Sequence, residues 1–135
     1  MTARIAVIDD DADFRQFMVD ALGDYGWDVL LCANPLGIYD LLRVHTPDLI
    51  MLDLRMQGQL VGWDILTFLQ LHPTLHEIPV VMCTAAVDEV EERETWLQDH
   101  GVSALLKPFE LDDLYALLEE RLSSRQPALS SATTA

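Results

Sequence analysis

The run Asp48-Leu49-Ile50-Met51-Leu52-Asp53 limits the fold more than any other stretch of the chain. Its four central residues are apolar without alternation, so a strand made from them needs cover on both faces. Strands of that kind lie in parallel sheets with helices on either side. The run also closes on an acid, and an unpaired carboxylate is costly inside a buried strand. Asp53 is therefore expected at the strand's C-terminal end, the edge along which open α/β sheets bind ligands.

Four more runs share this character: Arg4-Ile5-Ala6-Val7-Ile8, Trp27-Asp28-Val29-Leu30-Leu31-Cys32, Ile78-Pro79-Val80-Val81-Met82-Cys83 and Ser103-Ala104-Leu105-Leu106. Each of the five is followed by a helical period. Phe14, Phe17, Met18, Ala21 and Leu22 form one helical face, with Asp10 or Asp11 as its cap and Gly23 or Gly26 as its end. Asn34-Pro35 reads as an N-cap and first-turn proline for a helix over Leu36 to Val44, with Ile38, Leu41 and Leu42 inward. A loop over Leu54 to Leu60 leads to a helix from about Val61 to His72, with Val61, Ile65, Phe68 and Leu69 inward. A fourth helix, from about Val87 to Gln98, is crowded with acids and anchored by Val87, Val90, Trp96 and Leu97. The last runs from Glu110 to Leu122, with Leu111, Leu114, Tyr115, Leu118 and Leu122 inward. Short loops and apolar strands predict an α/β domain, a (βα)5 doubly wound parallel five-stranded sheet in three layers, over residues 1–123. The Ser/Thr/Ala-rich residues 124–135 read as a flexible tail or linker.

The net charge of −15 argues against nucleic-acid binding by this chain, because phosphate contacts need clustered Lys and Arg. It suits a cation site or a basic partner, although for most of the acids a solvated surface is the simpler account. Cys32 and Cys83 lack metal or redox spacing and read as buried, reduced thiols. His45, His72, His76 and His100 show no ligand spacing either. Trp63 and Trp96 read as half-buried packing. With no membrane-length apolar run and no signal-peptide pattern, a cytoplasmic protein without a membrane partner is expected.

Four strand ends carry polar residues: Asp9-Asp10, Asp53, Thr84 and Lys107. A parallel sheet gathers them on one edge. Carboxylates so clustered repel unless a cation balances them, and oxygen ligands suit Mg²⁺. A carboxylate beside Mg²⁺ and a lysine is equipped to attack a phosphoryl group, with the threonine hydroxyl donating to one of its oxygens.

At this point the residues resemble the receiver domains of two-component response regulators. The resemblance covers about residues 4 to 122. It rests on Val7-Ile8-Asp9-Asp10, Leu52-Asp53-Leu54-Arg55-Met56, Cys83-Thr84-Ala85 and Leu106-Lys107-Pro108-Phe109, in that order. It implies a flavodoxin-like strand order 2-1-3-4-5 and a phosphoprotein that carries an aspartyl phosphate. Asp53 would be the phosphoacceptor, served by a histidine kinase or a histidine phosphotransfer protein. Asp10 and Asp53 would bind Mg²⁺ directly, with the Arg55 backbone carbonyl as a third ligand and Asp9 acting through water. Thr84 would move towards the phosphoryl group, Lys107 would bridge to it, and the Lys107-Pro108 bond would be cis.

Three departures from the family pattern stand out. Gln57 replaces the usual proline after Met56, in a loop that looks one residue longer than typical. Ala104 stands where many receivers carry the aromatic residue of their switch, so signalling is expected to run through the backbone from Ala85 to Glu92. Arg55 introduces a guanidinium within reach of Asp9, Glu89 or the phosphoryl group, and a solvent-exposed role fits it as well.

The Asp9–Asp11 cluster could only cap a helix, but one acid suffices for that. An EF-hand loop is disfavoured by Phe14 at the glycine position. Lys107 as an ordinary surface lysine is disfavoured because it is the only lysine in the chain and closes a strand. The expected function is phosphoacceptance in a phosphorelay, relayed to a downstream protein or a fused output domain by a monomer or weak dimer. Chemistry beyond self-directed phosphotransfer and autodephosphorylation is not expected. The alternatives are a degenerate receiver acting as a phosphorylation-independent interaction module, and a small Mg²⁺-dependent phosphatase.

Overall fold

The protein is described from a computed structural model covering residues 2–34 and 36–134, with side chains to residue 123. Strands β1 (Arg4–Ile8), β2 (Asp28–Cys32), β3 (Leu49–Leu52), β4 (Val80–Thr84) and β5 (Ser103–Leu106) form one sheet in the order β2-β1-β3-β4-β5. Every pairing is parallel. The helices are α1 (Ala12–Tyr25), α2 (Ile38–His45), α3 (Val61–Leu71), α4 (Val87–Glu92), α5 (Glu94–Asp99) and α6 (Leu111–Thr134). The doubly wound architecture is the expected one.

Successive strand residues feed opposite faces. Ile5, Val7, Leu49, Met51, Val81 and Cys83 meet Met18 and Leu22 of α1 and Leu114, Leu118 and Leu122 of α6. Ala6, Ile8, Ile50, Leu52, Val80 and Met82 meet side chains of α2, α3, α4 and α5. β3 has no exposed residue on either side. Asp11 caps α1, its side chain accepting from the N–H groups of Asp13 at 2.9 Å and Phe14 at 3.3 Å. Gly26 ends α1 in the left-handed region, with φ 103°.

Several expectations at this level are corrected. Asn34 does not cap α2. Its side chain accepts from the Leu36 N–H at 2.9 Å and closes a local turn, and Gly37 precedes the helix at φ 78°. The expected role of Pro35 lies outside the described residues. The fourth helix breaks at Arg93 into α4 and α5. Asp88, Glu89 and Glu92 stand at i, i+3 and i+4 spacings, where like charges repel and weaken a continuous helix. Phe17, Phe68, Val87 and Leu111 are exposed rather than inward. The apolar stripes are narrower than the periodicity suggested; on α3, Leu66 fills the inner position and Phe68 lies against Tyr39. The short 3-10 turn Leu75–Glu77 was not foreseen. Helix α6 does not stop at Leu122 but continues to Thr134.

Register sets up the functional edge. Ile8 pairs with both Cys32 and Leu52, so Asp9 and Asp53 leave neighbouring strands side by side. Thr84 pairs with Leu106, so Lys107 follows directly beside Thr84. The ladder extends one step further through Asp53 N–H to Ile8 O at 3.0 Å and Lys107 N–H to Thr84 O at 2.9 Å.

Candidate functional site

Asp9, Asp53 and Thr84 are the buried polar side chains among the described residues, and all three stand at this edge. Asp10 is exposed beside them. Carboxylate oxygens of Asp9, Asp10 and Asp53 lie within 4.8 Å of one another. Three hard oxygen donors that close fit a divalent cation such as Mg²⁺.

Asp9 is held on every side. Oδ1 accepts from the Asp11 N–H at 2.9 Å, Oδ2 accepts from Lys107 Nζ at 2.6 Å, and its carbonyl accepts from Arg15 Nη1 at 3.0 Å. Lys107 Nζ also lies 3.5 Å from Asp53 Oδ2 and 3.8 Å from the centroid of the Phe14 ring. The ammonium is thus enclosed by two carboxylates and an aromatic face. Burial pushes the Asp9 carboxyl above its ordinary range; the Lys107 ammonium and the Asp11 N–H oppose that rise without cancelling it. Burial alone would lower the Lys107 ammonium. The Asp9 hydrogen bond and the charges of Asp53 and Asp9 outweigh it, so the net shift is upward and Lys107 stays protonated.

Asp10 is positioned by a turn that sequence reasoning missed. The Gln57 N–H donates to Asp10 Oδ2 at 2.6 Å. Gln57 and Gly58 both have positive φ, 56° and 74°, and Met56 and Gln59 exchange backbone hydrogen bonds of 2.9 and 3.0 Å across them. This is a two-residue turn of the primed kind. The signal available was Gly58 in a loop lengthened by one residue. Gly62 was missed as well. A glycine in the first turn of a helix is a hint of close backbone approach.

Thr84 is fully buried, and its hydroxyl accepts from the Ala86 N–H at 3.2 Å at the start of α4. The Arg55 N–H lies 3.4 Å from Asp53 Oδ1, and its guanidinium pairs with Glu89 of α4. Of the partners expected for it, Glu89 is the one it takes. The Lys107–Pro108 peptide bond is cis. Ala85, Lys107 and Pro108 line an apolar groove of about 360 Å³ with Phe14, Phe17 and Phe109. Ala104 is exposed on the edge strand β5, at a cavity of about 500 Å³ that Val90, Leu97 and Val102 also line.

The chain is similar to known proteins over most of its length. The sequence model of the response regulator receiver domain matches residues 5–119. Response regulator MprA of Mycobacterium sp. (strain KMS) is 32% identical over 127 residues, 94% of this chain and 54% of the relative. MprA of Mycobacterium tuberculosis (strain ATCC 25618 / H37Rv) matches to the same extent. The chain spans about half the length of these curated relatives. Among solved structures, NtrX from Brucella abortus gives a TM-score of 0.83 at 25% identity, covering 100% of this chain and 30% of that one. Chemotaxis protein CheY4 of Vibrio cholerae gives 0.77 at 21% identity, covering 90% and 99%, a likeness of fold alone. That match over residues 5–119, most of its length, makes this chain a member of the response regulator receiver domain family.

Proposed function

We propose that Asp53 accepts a phosphoryl group from a histidine kinase or a histidine phosphotransfer protein, as part of a two-component phosphorelay. One observation carries the reading. Lys107 Nζ bridges Asp9 at 2.6 Å and Asp53 at 3.5 Å beside three carboxylates clustered within 4.8 Å. An Asp53 oxygen attacks phosphorus, and the new O–P bond replaces the N–P bond of the donor. The electron pair of that bond returns to the donor imidazole. Lys107 stands where it stabilises charge on the phosphoryl oxygens. The Thr84 hydroxyl already accepts from Ala86, which leaves its O–H free to donate to one of them.

Asp10, Asp53 and the Arg55 carbonyl are the residues that would hold Mg²⁺, whose charge would offset that of the incoming phosphoryl group. Asp9, held by Asp11 and Lys107, would act through water. Phosphotransfer to itself and autodephosphorylation are then the whole of its chemistry.

The phosphorylated state is relayed to a partner protein or a fused output domain. Residues 1–123 act as the receiver unit and 124–135 as tail or linker. A cytoplasmic setting fits the kinase partner and the free, buried Cys32 and Cys83. No described helix is long and apolar enough to cross a membrane. The complete set of acids, threonine and lysine speaks against a degenerate module.

Incubation with Mg²⁺ and acetyl phosphate tests this by intact mass and tryptophan fluorescence. The expected result is one labile phosphoryl group per chain, absent in Asp53→Asn. Labelling that survives Asp53→Asn sinks the assignment, no labelling points to the degenerate module, and repeated turnover of a phosphomonoester points to a phosphatase.

A further inference from the structure

Arg55 stands between two anions. Its backbone N–H faces Asp53 Oδ1, so its side chain springs from the rim of the acid pocket. Its guanidinium, half exposed, pairs with Glu89 in the first turn of α4. Helix α4 is lightly held. It has six residues, Val90 as its buried side chain, and four acids, Asp88, Glu89, Glu91 and Glu92, with no base of its own. Elements with so few buried contacts are the ones that move at low cost. Apart from its backbone, the described ties between the acid pocket and the start of α4 are the Thr84 hydroxyl, which accepts from Ala86, and the Arg55–Glu89 pair.

We propose that Arg55 is a phosphoryl ligand that exchanges partners. With Asp53 unmodified the guanidinium holds Glu89, and with Asp53 phosphorylated it leaves Glu89 for the phosphoryl oxygens and frees the first turn of α4. This rests on the phosphoacceptor reading of Asp53. The choice of Arg55 follows from what the neighbouring cations are doing. Lys107 is bound to Asp9 at 2.6 Å, and Arg15 donates to the Asp9 carbonyl at 3.0 Å. Arg55, itself half exposed, is tied to the partly buried Glu89, and ion pairs open to solvent on one side contribute little. A phosphoryl group brings about two negative charges and three acceptor oxygens, which a planar guanidinium takes in bidentate fashion. The exchange therefore favours the phosphoryl group. Ala104 offers no bulky side chain to carry the signal along β5, so this route through the loop after β3 reaches α4 directly.

The test is amide NMR of Val87–Glu92 in wild type, Arg55→Ala, Arg55→Lys and Glu89→Gln, with Mg²⁺ and with or without saturating beryllofluoride. Fluorine NMR reports occupancy of the pocket, and intact mass after acetyl phosphate reports Asp53. In wild type, beryllofluoride is expected to shift the α4 amides. In Arg55→Ala at full occupancy that shift is expected to fall at least threefold, with Arg55→Lys between the two. Without beryllofluoride, Glu89→Gln is expected to place its α4 amides near the occupied wild-type positions. An undiminished α4 response in Arg55→Ala overturns the proposal, as does an unmoved α4 in Glu89→Gln, which leaves the Arg55 side chain and the pocket untouched. Failure of wild type to gain a phosphoryl group overturns the phosphoacceptor reading instead, and the exchange with it.

Discussion

Gly62 and Asp53 meet backbone to backbone. A Cβ on Gly62 would lie 2.5 Å from the Asp53 carbonyl oxygen and 2.6 Å from the Leu54 Cα, while the Gly62 N–H donates to the Leu54 carbonyl at 2.9 Å. The start of α3 thus buttresses the end of β3, and neither obstacle is a side chain able to swing away. Gly62→Ala is expected to lower the unfolding free energy by about 2–3 kcal/mol and to slow phosphoryl uptake at Asp53. Denaturant unfolding measures the first and intact mass against time the second. A variant as stable as wild type would mean that α3 moves freely.

Folding disfavours the charged form of Asp9. Burial raises its folded-state pKa above the ordinary 3.8, even after the help of Lys107 is counted. The folded state therefore takes up this proton first. The stability that follows is complete below the ordinary value and is lost as pH rises through the raised one. At pH 7 Asp9→Asn is expected to gain stability, since it removes a buried charge that stands beside the Asp53 carboxylate while Asp53 still faces the Lys107 ammonium. The advantage should shrink as pH falls towards 3.8 and wild type protonates. Urea midpoints at several pH values check both parts, and a variant less stable than wild type at pH 7 contradicts the account.

Cys83 limits alkaline stability. Burial pushes its thiol from 9.0 up to about 12, beside Lys107, Asp53 and Asp9. Below pH 9 the thiol is neutral in both states. Above it the unfolded chain ionises while the folded one resists, so stability falls as pH rises towards 12. By pH 10.5 the loss should reach roughly 2 kcal/mol. Cys83→Ala is expected to be less stable at pH 8 through its cavity, yet to show a shallower decline between pH 8.5 and 10.5. Equal slopes for the two proteins would remove Cys83 as the cause.

The Gln57 turn holds Asp10 at the expense of backbone strain. Gln57 has φ 56° and supplies the N–H that Asp10 accepts. Gln57→Gly keeps the N–H and relieves the positive φ, and is expected to gain about 0.5–1 kcal/mol. Gln57→Pro can neither adopt that φ nor donate, and is expected to lose more than the glycine variant gains. Thermal melts of the pair decide it, and a proline variant at wild-type stability refutes the turn.

How much of this was legible in the sequence differs from residue to residue. The strand runs were, because a strand covered on both faces shows as unbroken apolarity whatever surrounds it. The convergence of Asp9, Asp53, Thr84 and Lys107 was too, because parallel strands put their C-terminal ends on one edge. The inward face of α3 was only half legible. Phe68 and Leu66 are both apolar, and the sheet opposite them decides which is covered. The break at Arg93 lay hidden in a continuous helical period, since the repulsion among the acids of α4 had to be weighed against burial of Trp96 and Leu97.

The chain on its own carried the five strand–helix units, the sheet edge and the acids, hydroxyl and ammonium gathered there. These follow from periodicity and covalent order, which act between near neighbours. Which oxygen each cation takes was settled by the folded molecule alone. Lys107 is ninety-eight residues from Asp9, Gln57 reaches Asp10 through its backbone, and Arg55 takes Glu89 of the next helix. Such choices turn on differences of an ångström between segments far apart in sequence, and local pattern holds no measure of those distances.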